Sequence, residues 1–411
     1  MNKYLIILFV IALFTTGCQQ VSTPEPSATP TPAFQITSTV KPVTEITDEM
    51  YLTAVASMAP PRSTPTPFPT LDLAPRGKIV YIDLNMHVLH VMDGNGNNDI
   101  STIVEAGDQP TWSPDGKNIV MTCSSMEDNV SISQLCFYDT AYLGTSDANA
   151  HVIKMDISQT TQNSGFISSY SWSPDSRHLI VLLDYVSYRK LCTLTIKTRG
   201  VACSTSNYIL NGFSNDDLQI FRSATSVAWS PTNQNLIAIA VPSFSSGRIL
   251  LGDLVHHRLA EISFPVTLFD LGDSIAWSPD GKQIAFTHSG TTGGLTLAPV
   301  CQNSACLLYP PGPILGVINI DGTNYKKIVD GVDIFYRWPL GKAQYDFPPI
   351  STYGQYYKFD YPSWSPDGRF LTFVAKVSPF QHMIYTEPFR VDLNTGYFIH
   401  FEFNSIPNWS H

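Results

Sequence analysis

The sequence predicts an all-β fold, a six-bladed β-propeller of four-stranded antiparallel blades, and three observations predict it. A Trp-Ser-Pro-Asp-Gly unit recurs along the chain. Each copy is followed by a short apolar run rich in strand-forming residues. The two ends of the repeat region complement each other, one lacking a first strand and the other supplying it.

The unit stands as Trp112-Ser113-Pro114-Asp115-Gly116, Trp172-Ser173-Pro174-Asp175-Ser176, Trp229-Ser230-Pro231-Thr232-Asn233, Trp277-Ser278-Pro279-Asp280-Gly281 and Trp364-Ser365-Pro366-Asp367-Gly368, with a truncated sixth copy at Trp409-Ser410. Proline presets φ, aspartate bonds back to the backbone and glycine takes a positive φ, so each unit joins two antiparallel strands. The runs behind the turns include Asn118-Ile119-Val120-Met121, Leu236-Ile237-Ala238-Ile239 and Phe370-Leu371-Thr372-Phe373. Asp/Asn-Gly turns at Asp93-Gly94, Asp321-Gly322 and Asn394-Thr395-Gly396 supply the third and fourth strands. Spacings of 60, 57, 48, 87 and 45 residues between tryptophans each accommodate four strands, and the 87 marks an insertion.

Gly77 to Ile82 reads as the second strand of a blade with no Trp-Ser-Pro before it, and Ile406 to Ser410 reads as the missing first strand. The C-terminal strand is therefore expected to pair with the first blade and close the ring, leaving no open sheet edge there. These residues resemble the TolB family and related WD40-like repeats, over Gly77 to His411. The resemblance implies the fold and is less specific about function, because such propellers bind proteins, gate peptidases or, in a few cases, cleave sugars as lyases.

Residues 1–17 carry Lys3, an apolar run of eleven from Tyr4 to Phe14, and Thr15-Thr16-Gly17. That run is too short to span a bilayer and reads as a signal peptide. Its junction with Cys18 resembles the lipobox of bacterial lipoproteins, which implies lipidation of Cys18, anchoring to the outer face of the membrane and a place in the cell envelope. An ordinary secretory signal is the alternative, and both readings take the chain out of the cytoplasm. Residues 18–75 hold eleven prolines and read as an extended, disordered tether, with a short helix expected at Thr47–Leu52. The propeller then occupies 76–411.

Beyond Cys18 the cysteines form an even set, Cys123/Cys136, Cys192/Cys203 and Cys301/Cys306, and three local disulfides are expected in an exported chain. Cys123 and Cys136 are expected to flank the turn between second and third strands. A net charge of −10 and the lack of basic runs argue against nucleic acid.

A Gly-x-Ser-x-Gly elbow does not occur, and Gly272-Asp273-Ser274-Ile275 reads as an inner strand leading to Trp277. His87 and His90 stand three apart on a strand and point to opposite faces, while His256-His257 fall in a turn. Asp93-Gly94-Asn95-Gly96-Asn97-Asn98-Asp99 places Asp or Asn at alternate positions but lacks the glycine and glutamate of an EF-hand, so a plain turn is expected. No cofactor, metal or catalytic residue is assigned.

The function expected is therefore a monomeric, membrane-anchored binding or scaffold module for a protein, peptide or glycan. The alternative is a lyase or hydrolase with its site on the propeller axis. Strand order places the long insertions, Ser206–Ser223, Thr291–Pro313 and Gly331–Lys358, on the face opposite the Trp-Ser-Pro turns. The last of these is rich in aromatics, and Tyr336, Trp338, Tyr345, Tyr356 and Tyr357 are its candidate ligand contacts.

Overall fold

The structure, a computed structural model, describes residues 77–410 apart from 84–87, 104–106, 128–129, 157–165, 186–187, 198–199, 204–211, 243–246, 265–270, 272–273, 290–297, 303–304, 310–312, 332–354, 381–382 and 402–405. Cys18, the tether with its expected helix, His87, Tyr336, Trp338 and Tyr345 lie outside the described residues.

Six four-stranded antiparallel sheets follow one another along the chain. Blade one contains β1 (Lys78–Asp83), β2 (Val88–Asp93) and β3 (Ile100–Ile103). Blade two is β4 (Gly107–Trp112), β5 (Asn118–Glu127), β6 (Val130–Asp139) and β7 (Ile153–Asp156). Blade three is β8 (Phe166–Trp172), β9 (His178–Asp184), β10 (Arg189–Thr195) and β11 (Gly200–Cys203). A helix, α1 (Asn215–Ser223), precedes blade four, which is β12 (Ser226–Trp229), β13 (Leu236–Val241), β14 (Arg248–Asp253) and β15 (Arg258–Glu261). Blade five is β16 (Ile275–Trp277) and β17 (Gln283–Ser289), an inserted hairpin of β18 (Ala298–Gln302) and β19 (Ala305–Tyr309), then β20 (Pro313–Asn319) and β21 (Lys326–Asp330). Blade six is β22 (Gln355–Trp364), β23 (Phe370–Phe380), β24 (Met383–Asp392) and β25 (Phe398–His400). The inner strand of blade one is β26 (Asn408–Trp409), which pairs with β1 through Ile79↔Trp409 and Val80↔Asn408. The expected ring closure is thus present.

The repeated pentapeptide works as its chemistry requires. In blade two Ser113 Oγ donates to Asp115 Oδ1 at 2.7 Å and accepts from the Asn118 N–H at 2.9 Å, while the Lys117 N–H donates to the same Asp115 oxygen at 3.1 Å. Gly116 takes φ +69°, and Ser176 takes the same left-handed conformation in blade three. Blade four lacks both aspartate and glycine, and its turn is one residue longer: Trp229 pairs with Ile237, whereas Trp112 pairs with Ile119.

Each inter-blade core holds one of the repeated tryptophans. Trp112, Trp172, Trp229, Trp277, Trp364 and Trp409 fall in separate clusters formed with strands of the preceding blade. Because a blade is covered on both faces, its second strand is apolar throughout, as in Leu179–Leu183, rather than alternating. The helix α1 is an addition to the expected strands. It starts in a capping box in which Ser214 and Asp217 serve each other's backbone N–H, and it buries Phe221.

Cys123 and Cys136 are joined by a disulfide. They lie inside β5 and β6 rather than beside the turn, since both strands run on past them to Glu127↔Val130. Cys192 is disulfide-bonded and Cys203 stands opposite it in the ladder. Cys301 and Cys306 are register partners in the inserted hairpin. The Cys123–Cys136 bond spans 13 residues, so its removal in a Cys123→Ala/Cys136→Ala variant is expected to cost about 3 kcal/mol. Denaturant unfolding under non-reducing conditions measures this, and an unchanged midpoint would mean that the hairpin is equally restrained without the bond.

Candidate functional site at the mouth of the central channel

The inner strands surround a channel of about 160 Å³ lined by Ser, Thr, Pro and tryptophan edges from all six blades. Drug-sized pockets run to roughly 300–1,000 Å³, so the channel interior is smaller than those. Neighbouring inner strands are tied across it by serine hydroxyls. The N–H groups of Val227 and Trp229 donate to Ser169 and Ser171, Ile275 to Ser226, Tyr361 to Ser274 and Trp409 to Ser363, at 2.5–3.3 Å. This satisfies the backbone where two blades meet without a shared ladder.

At the end away from the Trp-Ser-Pro turns, the inner strands of blades two and six carry the same device. Asp108-Gln109-Pro110-Thr111-Trp112 and Asp360-Tyr361-Pro362-Ser363-Trp364 each break the ladder, between Asp108 and Thr111 and between Asp360 and Ser363. The two residues between them bulge, and the one before proline is left-handed, Gln109 at φ +56° and Tyr361 at φ +53°. A residue preceding proline is normally extended, and a side chain in this region costs of order 1 kcal/mol or more. The bulges aim Gln109 and Tyr361 at each other, with Gln109 Nε2 3.4 Å from Tyr361 Oη. Tyr170 of blade three donates its hydroxyl to the Gln109 carbonyl.

Charges surround this contact. Asp360 is 1% exposed, with Lys376 Nζ 2.9 Å and Lys358 Nζ 3.4 Å from its Oδ2. Lys376 also lies over the Tyr361 ring, 5.6 Å from the centroid. Asp108 Oδ1 accepts from the Gln109 N–H at 2.7 Å. Burial pushes the Asp108 carboxyl above its ordinary value, against the opposing pull of that N–H and of Lys376. Burial also pushes the Tyr170 hydroxyl up, helped by Asp108.

The raised carboxyl makes stability depend on pH. Folded Asp108 holds its proton to higher pH than the unfolded chain does, so its contribution is fully present below the unfolded value near 3.9 and is lost as pH rises through the folded one. Asp108→Asn should therefore gain stability relative to wild type as pH rises from acid to neutral. Paired denaturation curves over that range test it, and a pH-independent difference would contradict the assignment.

The residues singled out by the sequence fare differently. Tyr356 and Tyr357 belong to β22, where Tyr356 pairs with Val377, and not to a loop. Aromatic residues suit a strand, and β23 is long enough to pair with them. Ser274 sits at the start of an inner strand as expected, its hydroxyl occupied by Tyr361. His90 bonds Asp99 at 2.8 Å and stacks on Tyr81, and Asp93 accepts from Asn98 at 2.6 Å, so the Asp93–Asp99 turn uses these side chains internally. His256 bonds Asp253 within its turn. Among the described residues no three His, Cys, Asp or Glu side chains gather in a metal-binding group. Sequence reasoning missed the mouth residues, although the repeated Asp-x-Pro-x-Trp string was there to be read.

No family model matches the sequence, and no curated protein matches it. Among solved structures, TolB from Acinetobacter baumannii superposes with a TM-score of 0.51 at 14% identity, over 81% of this chain and 66% of that one. The fold is TolB-like. A TolB described from Agrobacterium tumefaciens gives 0.44 at 16% identity, over 81% of this chain and 91% of that one. A puromycin-hydrolyzing peptidase of Mycobacterium tuberculosis gives 0.42 at 13% identity, over 81% of this chain and 44% of that one. This TolB-like propeller spans slightly less than two thirds of the Acinetobacter protein. The similarity carries the fold and leaves activity to the site itself.

Proposed function

We propose that this TolB-like propeller is a binding module of the cell envelope, anchored through Cys18, and that it holds a protein or peptide at the channel mouth around Gln109 and Tyr361. The observation that supports it most is the pair of left-handed, pre-proline residues brought together from blades two and six. Strain of this kind persists where the surroundings enforce it, and here it presents an amide and a phenol beside a buried charge cluster. The channel behind them is smaller than a drug-sized pocket, and the two carboxylates at the mouth have lysine or backbone partners rather than a shared proton or an exposed nucleophile. These features favour recognition over catalysis. The neighbouring connections add contact area: β5, β6, β23 and β24 rise past the disc on this face, and the β18–β19 hairpin leaves blade five on it.

The test is capture of envelope proteins by the immobilised propeller. Tyr361→Ala should lose the captured partner while keeping its thermal transition. Undiminished capture by a folded Tyr361→Ala protein, or turnover of chromogenic peptide or glycan substrates by wild type, would move the reading toward another surface or toward the enzyme.

A further inference from the structure

The channel wall is polar in composition, yet its polar groups are largely committed to one another. An inner strand is the edge of its blade, and an edge ordinarily presents unpaired N–H groups. The serine bonds between neighbouring inner strands use five such groups, those of Val227, Trp229, Ile275, Tyr361 and Trp409. Five of the lining residues, Pro110, Pro114, Pro231, Pro362 and Pro407, are prolines and bring no N–H. Carbonyls are engaged as well. Ala228 and Ala276 accept the indole N–H groups of Trp277 and Trp364 at 3.0 and 3.2 Å, and Val227 accepts from Ser169 Oγ at 3.4 Å. Among the described residues that line the channel, none carries a charge. An ion placed there would lose its hydration and meet no counter-charge, whereas an apolar group has no hydration to lose. Size sets the other limit. A protein cavity of about 150 Å³ accommodates benzene, and the channel offers about 160 Å³.

We propose that the channel is a binding site for one uncharged apolar group about the size of a benzene ring, either a free small molecule or a side chain of a peptide held at the mouth. Gln109 and Tyr361 belong to the same lining, so the channel opens where the partner is expected to sit. The peptide source rests on the binding role above and adds an anchor to it; the free molecule stands apart from that role. In both cases the wall holds the group by contact and by exclusion of water, and its lack of charge selects against ionised ligands.

The experiment is titration of 15N-labelled protein, read at the indole N–H resonances of Trp277 and Trp364, whose donors rest on carbonyls of the channel wall. Benzyl alcohol represents the free molecule and acetyl-Gly-Phe-Gly amide the peptide side chain. Either or both should shift these resonances saturably, and the pattern identifies the source of the group. Benzoate, benzylammonium and acetyl-triglycine amide, which add a charge or lack the ring, should bind at least tenfold more weakly. Thr111 lines the channel, so Thr111→Phe should fill it and lose the response, while Thr111→Val, close in volume, should keep it. If Thr111→Phe does not fold, Asn408→Phe replaces it with the same expected loss. The lack of a saturable response to both ring probes, charged analogues that titrate equally well, or an unchanged response in the folded filling variant overturns the proposal. If that happens while Tyr361→Ala still abolishes partner capture, the binding role stands and only the channel site falls.

Discussion

Deleting Ile406–His411 should unfold or aggregate the domain, the largest effect expected of any short change in this chain. Those residues include the inner strand of blade one. Without it β1 loses its inner neighbour and keeps only β2, and the inner strands of blades six and two face each other across a gap. Particular interactions go with that strand. Trp409 is 1% exposed within the core shared with Phe370 and Phe401, its backbone N–H donates to Ser363 Oγ at 3.0 Å, and the Ser410 N–H donates to the Lys78 carbonyl at 2.8 Å. Trp409→Ala alone should cost about 3–5 kcal/mol by the usual range for a buried tryptophan. For a domain of this size that lowers the melting temperature on the order of 10 °C. Circular dichroism and light scattering on heating read both variants. An unchanged transition in the truncated protein would mean that the ring does not depend on its closing strand.

The second large effect is on binding, and it comes with an opposite effect on stability. Gln109→Gly and Tyr361→Gly each relieve a left-handed φ, so each should stabilise the fold by up to about 1 kcal/mol after allowance for the packing that the side chain provided. Both remove a group that faces the channel mouth, so partner capture should fall by tenfold or more. Stability and affinity are thus expected to move in opposite directions, as they do where strain is held at a working site. A glycine variant that loses stability and affinity together would show that these side chains support the fold instead.

The same five-residue string explains why one part of the molecule was legible and another was not. Trp-Ser-Pro-Asp-Gly dictates its own local geometry: the serine hydroxyl, the aspartate and the glycine satisfy one another within six residues, so the turn forms wherever the string occurs. The four residues before the tryptophan carry no such self-contained meaning. Asp-Gln-Pro-Thr and Asp-Tyr-Pro-Ser read as ordinary strand starts until the ring sets them side by side, more than 250 residues apart in the chain. The aromatic-rich segment drew attention because of its composition, yet composition did not tell strand from loop, and Tyr356 proved to be laddered to Val377.

The sequence by itself determined the number of blades, the strand order, the complementary ends and the tryptophan of each inter-blade core, because local turn chemistry and apolar runs are encoded residue by residue. The tertiary structure alone decided which residues share the channel mouth. That depends on ring closure, which joins Gln109 to Tyr361, and on the register of β22 with β23, which sets Lys358 opposite Lys376 above a buried Asp360. A register shift of one residue would send those side chains to opposite faces of the sheet, and no local pattern in the sequence specifies where a bulge resets it.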